Sequence, residues 1–257
     1  MRTRPDCRQL AARWLIAGLI ALSNPVAAAS LLIGVEDDWF PYSAVKDGSV
    51  QGMSVDIVKA AFAATDTRIE LRPYPYPRCM HMAKNGQLLA CFNTAPDAQI
   101  ARDYLLPKTA LFSDDILLWA RAAQAPVVAD VNAALNGKKV AVTIGYEYGT
   151  RFDSNQQVQR VPVRKDLYGF LMLQKQRVDY CLAYRGTAEQ LFRDHPQLAG
   201  QFRAVATVHQ PQLFLSFSRH NPAAPALLER FERGMQLIHD NGRYQQIIQQ
   251  WQPNSPQ

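Results

Sequence analysis

The chain has 257 residues, 48% hydrophobic and 19% charged, a composition suited to a globular protein with one large core or two modest ones. Its formal net charge of +6 is concentrated at the amino terminus: residues 1–29 hold four arginines and one aspartate, and the rest carries 24 basic against 21 acidic residues. That mild balance, with no basic run interleaved with aromatics, excludes the electrostatic footprint of a nucleic-acid binder.

Arg2, Arg4, Arg8 and Arg13 lead into an apolar run over residues 14–22, followed by Pro25 and the small residues Ala27, Ala28 and Ala29. A charged start, a short apolar middle and an A-x-A end predict a secretory signal over residues 1–29, cleaved after Ala29. The apolar run is too short to span a bilayer, and no later stretch is longer, so the mature chain is expected in the periplasm. After it, the apolar run 31–35 breaks into Glu36-Asp37-Asp38-Trp39-Phe40-Pro41-Tyr42 and ends at Gly52, where an amphipathic run begins. This is a strand, a loop and a helix. Loops at the carboxyl ends of strands in open α/β sheets line ligand crevices, and the carboxylates and rings here exceed what a connection needs.

The order of that strand, Trp39-Phe40-Pro41-Tyr42 and then Gly52-Met53-Ser54-Val55-Asp56-Ile57 resembles the opening of the extracytoplasmic solute-binding proteins of family 3, the polar amino-acid receptors of ABC importers. The resemblance implies an α/β, two-lobed fold of the type II periplasmic-binding-protein kind, with two mixed sheets joined by a double crossover hinge. Residues 30–120 plus 213–257 would form lobe 1 and residues 121–212 lobe 2. It implies a monomer without cofactor or catalysis. Such a protein closes on a small anionic or zwitterionic solute, an amino acid or related carboxylate, and delivers it to an inner-membrane ABC permease.

Strand and helix patterns then alternate with short connections, as in layered α/β folds. Met53, Ile57, Ala60 and Ala61 recur at helical spacing, with Asp56 in the first turn, where a carboxylate complements the helix dipole. A strand follows at 69–72, then the breaker Pro73-Tyr74-Pro75-Tyr76-Pro77. A short helix over 78–84 stops at Asn85-Gly86, and the next strand covers 88–92. In the family it resembles, the following small polar segment and arginine-bearing helix form the ligand carboxylate site, and Asn93, Thr94 and Arg102 stand in that order. Arginine suits the task, since its planar fork holds a carboxylate through two charge-assisted hydrogen bonds and keeps its proton. Residues 115–120 form another strand, and the small residues after Arg121 suggest a crossing between lobes. Hinge motion is expected at residues 119–124 and 209–213.

A second α/β unit opens with a short helix to Leu135 and a strand over 139–144, followed by Gly145-Tyr146-Glu147-Tyr148-Gly149. In the family the matching turn opens a helix whose amides face the ligand, and free amides at a helix start bind anions. Tyr146 and Tyr148 read equally well as ligand contacts or as half-buried loop aromatics. The segment 177–184 resembles the family's R-x-D-A strand with Tyr180 in place of alanine and Asp179 in a structural role. Where amino-acid receptors place an acid for the ligand ammonium, this chain has Tyr184 and Arg185, a departure from a standard α-amino acid site, and Glu36, Asp37 or Asp38 could supply the missing negative charge. The expected ligand-binding set is therefore Glu36, Trp39, Asn93, Thr94, Arg102, Tyr146 and Tyr184. A strand through 202–208, a return crossing at 213–218, and two terminal helices around Asn241-Gly242-Arg243-Tyr244 complete the pattern.

Of the cysteines, Cys79 and Cys91 are the closest pair in the mature chain, either disulfide-bonded in an oxidising compartment or small buried hydrophobes like Cys181. No clustered Cys and His spacing argues for a metal. Nucleophile-elbow, Walker, dinucleotide and zincin motifs are absent. The rival reading is a periplasmic enzyme on the same scaffold, such as a dehydratase of cyclic carboxylates, with Glu36, Asp37 or Glu147 as its acid.

Overall fold

The structure is a computed structural model that describes residues 31–251; the expected signal peptide lies outside them. Two mixed sheets carry the fold. In the first, strand Leu31–Glu36 lies between Ile69–Tyr74 and Ala90–Thr94, all parallel, and the antiparallel strand Gln212–Ser218 adds to Ala90–Thr94. In the second, Lys139–Thr143 lies between Gln159–Val163 and Tyr180–Tyr184, again parallel, with antiparallel Ile116–Arg121 and Phe202–His209 beyond. The two sheets repeat one plan, each built on a three-stranded parallel core extended by antiparallel strands. The strand Asp38–Trp39 pairs with a small antiparallel hairpin, Ser43–Lys46 and Ser49–Gln51, that folds the first loop back over the sheet.

The strand pairing moves the expected lobe boundary. Ile116–Arg121, assigned to lobe 1 from sequence, is a buried strand of the second sheet, so the outward crossing lies at residues 114–115 rather than at 119–124. The segment read as the return crossing, 213–218, is likewise a paired strand inside the first sheet, and the chain returns at residues 210–211. A continuous apolar run marks a buried strand but carries no label for the sheet it joins.

The helix Met53–Ala63 starts against the first loop. Ser54 donates through its backbone N–H and its hydroxyl to Tyr42 O, and Gly52 holds φ 140 with its would-be Cβ 2.2 Å from that oxygen. No side chain fits there, which is why the loop and helix can meet so closely. Helix Ala224–Asp240 packs Phe231 on Phe62, and Trp251, at the end of Arg243–Trp251, donates its indole N–H to Asp56. Cys79 and Cys91 are disulfide-bonded, which ties helix Tyr76–Lys84 to strand Ala90–Thr94, and Cys181 is buried and free. Asp179 accepts from Lys139 N, the structural role expected of it.

Candidate functional site

Both parallel cores end at one cleft. From the first sheet, Leu31–Glu36 delivers Glu36 at its carboxyl end, and the adjoining strand Asp38–Trp39 delivers Trp39. Ala90–Thr94 delivers Asn93, and the first turn of helix Tyr76–Lys84 delivers Tyr76. From the second sheet come Tyr146 and Glu147, in the turn after Lys139–Thr143, and Tyr184, the last residue of Tyr180–Tyr184. These seven residues line one chamber.

The two halves meet there through hydrogen bonds between tyrosines and carboxyls. Tyr146 donates to Glu36 Oε1 at 2.5 Å, and Tyr76 bonds both oxygens of Glu147 at 3.0 and 3.1 Å. Ring contacts add a second layer: Trp39 meets the edge of Tyr184 at 4.9 Å and of Tyr146 at 6.0 Å, and Tyr76 meets Tyr146 at 5.7 Å. Edge-to-face geometry is the favoured arrangement for such pairs. Asn93 adopts φ 75, a left-handed conformation that asparagine tolerates better than most residues, and its amide nitrogen donates to Ser43 at 2.9 Å. Its Oδ1 and the indole nitrogen of Trp39 are buried without a protein partner. Buried polar atoms are normally satisfied, so an unpaired acceptor and an unpaired donor on one chamber wall point to a ligand.

The electrostatics are those of two enclosed acids. Burial raises the Glu36 carboxyl well above its usual range; the Tyr146 hydrogen bond opposes this, while Asp166, Asp37 and Asp38 add to it. Burial likewise pushes Glu147 up to about 8 against the Tyr76 hydrogen bond, its carboxyl enclosed although part of the residue reaches solvent. Desolvation also holds the hydroxyls of Tyr76, Tyr146 and Tyr184 well above the phenol range, so they remain donors. Lys and Arg are missing from the chamber wall. Among the described residues no group of three or more His, Cys, Asp or Glu side chains is arranged to hold a metal.

Of the seven residues expected from sequence, Glu36, Trp39, Asn93, Tyr146 and Tyr184 come together here. Thr94 is fully buried with its hydroxyl 3.5 Å from Met80 Sδ and does not line the chamber. Arg102 is displaced further. Asp97 caps the short helix Ala98–Asp103, and Arg102 lies on its exposed side, donating to Gln99 Oε1 at 2.6 Å and lining no part of the cleft. The carboxylate clamp anticipated at Arg102 has no counterpart at that position. Tyr76 was missed because it sits in a proline-rich run that reads as a breaker. Glu147 carried a signal only as a candidate acid. Tyr148 turns away, its hydroxyl accepting from Thr143 N inside the lobe.

Residues 31–254 match the bacterial extracellular solute-binding proteins, family 3. No curated protein matches the sequence significantly. Among solved structures, the chain is similar to a histidine kinase sensor domain with similarity to periplasmic binding proteins, at TM-score 0.75 and 19% identity, over 87% of this chain and 96% of that one. It is similar to the arginine-, lysine-, histidine-binding protein ArtJ from the thermophilic bacterium Geobacillus stearothermophilus, at TM-score 0.75 and 12% identity, over 89% and 97%. An ancestral arginine-binding protein bound to arginine aligns at TM-score 0.74 and 16% identity, over 87% and 98%. At these identities the likeness is one of fold.

Proposed function

The chain belongs to the bacterial extracellular solute-binding proteins of family 3 and has their two-lobed type II fold, and from that premise we propose that its lobes close on a small solute bearing a protonated amine, which it delivers to an inner-membrane ABC permease. The observation that carries the reading is that Glu36 and Glu147, one from each lobe, line the same chamber, walled by Trp39, Tyr76, Tyr146 and Tyr184 with no basic side chain. Carboxylates and aromatic faces together favour an organic cation, and a buried anion would find no counter-charge there. An ammonium group supplies donors to Asn93 Oδ1 and to both carboxyls. That two similar structures are of proteins named for binding arginine or other basic amino acids supports a basic solute here. Family membership supports an extracytoplasmic place, and no helix among the described residues is long and apolar enough to cross a membrane.

The test is a thermal-shift screen of primary amines against carboxylates of equal length, since a ligand that binds only the folded state raises its melting temperature by mass action. Amines should raise it and carboxylates should not. A response to carboxylates alone overturns the assignment. The family is one of binding proteins, but one observation favours a second, catalytic reading: a carboxyl near 8 held against Tyr76 in a dry cleft has the character of a general acid. Turnover of prephenate or arogenate by the purified protein would establish that reading instead.

A further inference from the structure

The chamber at Glu36 and Glu147 is about 10 Å³, room for roughly one water molecule and far less than a whole organic solute. It does not end there. Glu36, Tyr76 and Tyr146 also line a groove of about 840 Å³ that runs outward between the lobes. A ligand head seated in the chamber would therefore have its body in this groove.

We propose that the groove receives an extended solute with a second cationic group, so that the ligand is a linear diamine or longer polyamine; this rests on the ammonium reading of the chamber. The wall of the groove has the matching chemistry in two zones. Phe40, Ile144 and Leu167 offer apolar surface for a methylene chain, with Ile144 left 48% exposed. Around them the acids Asp37, Asp38, Asp166 and Asp194 join Glu36, against only Arg164 and Lys165 as fixed cations. Lys165 is already held by Asp38 at 2.5 Å, and Asp194 is only loosely engaged, 3.7 Å from Lys46. Asp37 forms no ion pair within 4 Å among the described residues, feels Lys165 only at longer range, and lines the groove beside Glu36, which lines both groove and chamber. The acids therefore outnumber the cations after internal pairing, and a second ammonium meets Asp37 and the rim beyond it. Arg164 is the one place on this wall where an anionic end would settle, which makes an amine with a terminal carboxylate the competing ligand.

Isothermal titration calorimetry of the full mature chain at fixed pH and ionic strength separates these outcomes. The probes are 1,4-diaminobutane, 1,5-diaminopentane, n-butylamine and 4-aminobutanoate. The diamines should bind at least tenfold more tightly than n-butylamine, 4-aminobutanoate should gain nothing, and Asp37→Asn should shrink the diamine-to-monoamine ratio several-fold with the melting temperature retained. Equal affinities for n-butylamine and the diamines overturn the second cation and leave the ammonium reading standing. Tightest binding of 4-aminobutanoate overturns it in favour of an anion at Arg164. Binding of no amine overturns both.

Discussion

At the scale of single residues, Glu147 has the most measurable consequence. Its folded carboxyl titrates near 8 against 4.5 when unperturbed, so the folded state holds a proton that the unfolded state has lost over that interval. Stability therefore falls as pH rises from about 5 to 8, and the raised Glu36 and Asp166, the latter at about 6, act in the same direction. Glu147→Gln should flatten this decline, read as melting temperature against pH; a wild-type curve that rises through the interval refutes the assigned burial. Under the proposed ammonium reading, that proton is coupled to ligand. An ammonium seated against Glu147 drives it off, so affinity for n-butylamine should increase between pH 6 and 8 in the wild type and much less in Glu147→Gln. Arg102 is the converse case. Exposed and bonded only to Gln99 among the described residues, it should tolerate Arg102→Ala with solute affinity and stability unchanged within about 0.5 kcal/mol. A large loss of affinity would return the arginine to the site.

At the scale of elements, the first lobe depends on two close approaches. Helices Met53–Ala63 and Ala224–Asp240 cross at Gly234, where an added Cβ would lie 1.9 Å from Ala61 O, a backbone atom that can yield only by separating the helices. Gly234→Ala should cost about 1–3 kcal/mol or more in urea denaturation, the range for overpacking a close contact. The other approach is behind the site. Gly34 leaves room for Cys79 Sγ, 2.5 Å from its would-be Cβ, and the Cys79–Cys91 bond ties the helix bearing Tyr76 to the strand bearing Asn93. The bond closes a loop of 12 residues, so replacing both cysteines with alanine should lower stability by about 3 kcal/mol on loop-entropy grounds. An unchanged urea midpoint would show that the bond does not constrain the unfolded chain.

At the scale of the whole molecule, the chain crosses between the two sheets at residues 114–115 and 210–211, and both crossings are pinned. Asp114 accepts from Tyr42 at 2.5 Å and from Gly186 N, while Asp115 accepts from Arg185 and, in the returning strand's approach, from Gln210, each at 2.6 Å. Motion at such crossings opens and closes a cleft as a hinge. Closure is then held by the tyrosine–carboxyl bonds Tyr146–Glu36 and Tyr76–Glu147, far more enclosed than the surface pair Lys165–Asp38. Replacing Tyr146 and Tyr76 together with phenylalanine should shift the population toward the open form, seen as a larger radius of gyration in small-angle X-ray scattering. An identical scattering profile would place the hold elsewhere.

What the sequence determined by itself was the succession of elements, because the apolar periodicity of residues 53–63, the buried runs and the Asn-Gly stops are local signals. It also marked Glu36 and Trp39, since acids and rings crowded at a strand end exceed the needs of a loop. Partnership was decided only in three dimensions. Residues 116–121 and 213–218 are both mostly apolar runs, and which sheet each joins depends on the edges available for pairing. Arg102 stands exposed on the short helix capped by Asp97, bonded to Gln99 and outside the cleft lining. Glu36 and Glu147 line one chamber although they are more than a hundred positions apart, and the loss of water that raises both carboxyls exists only once the two halves enclose them.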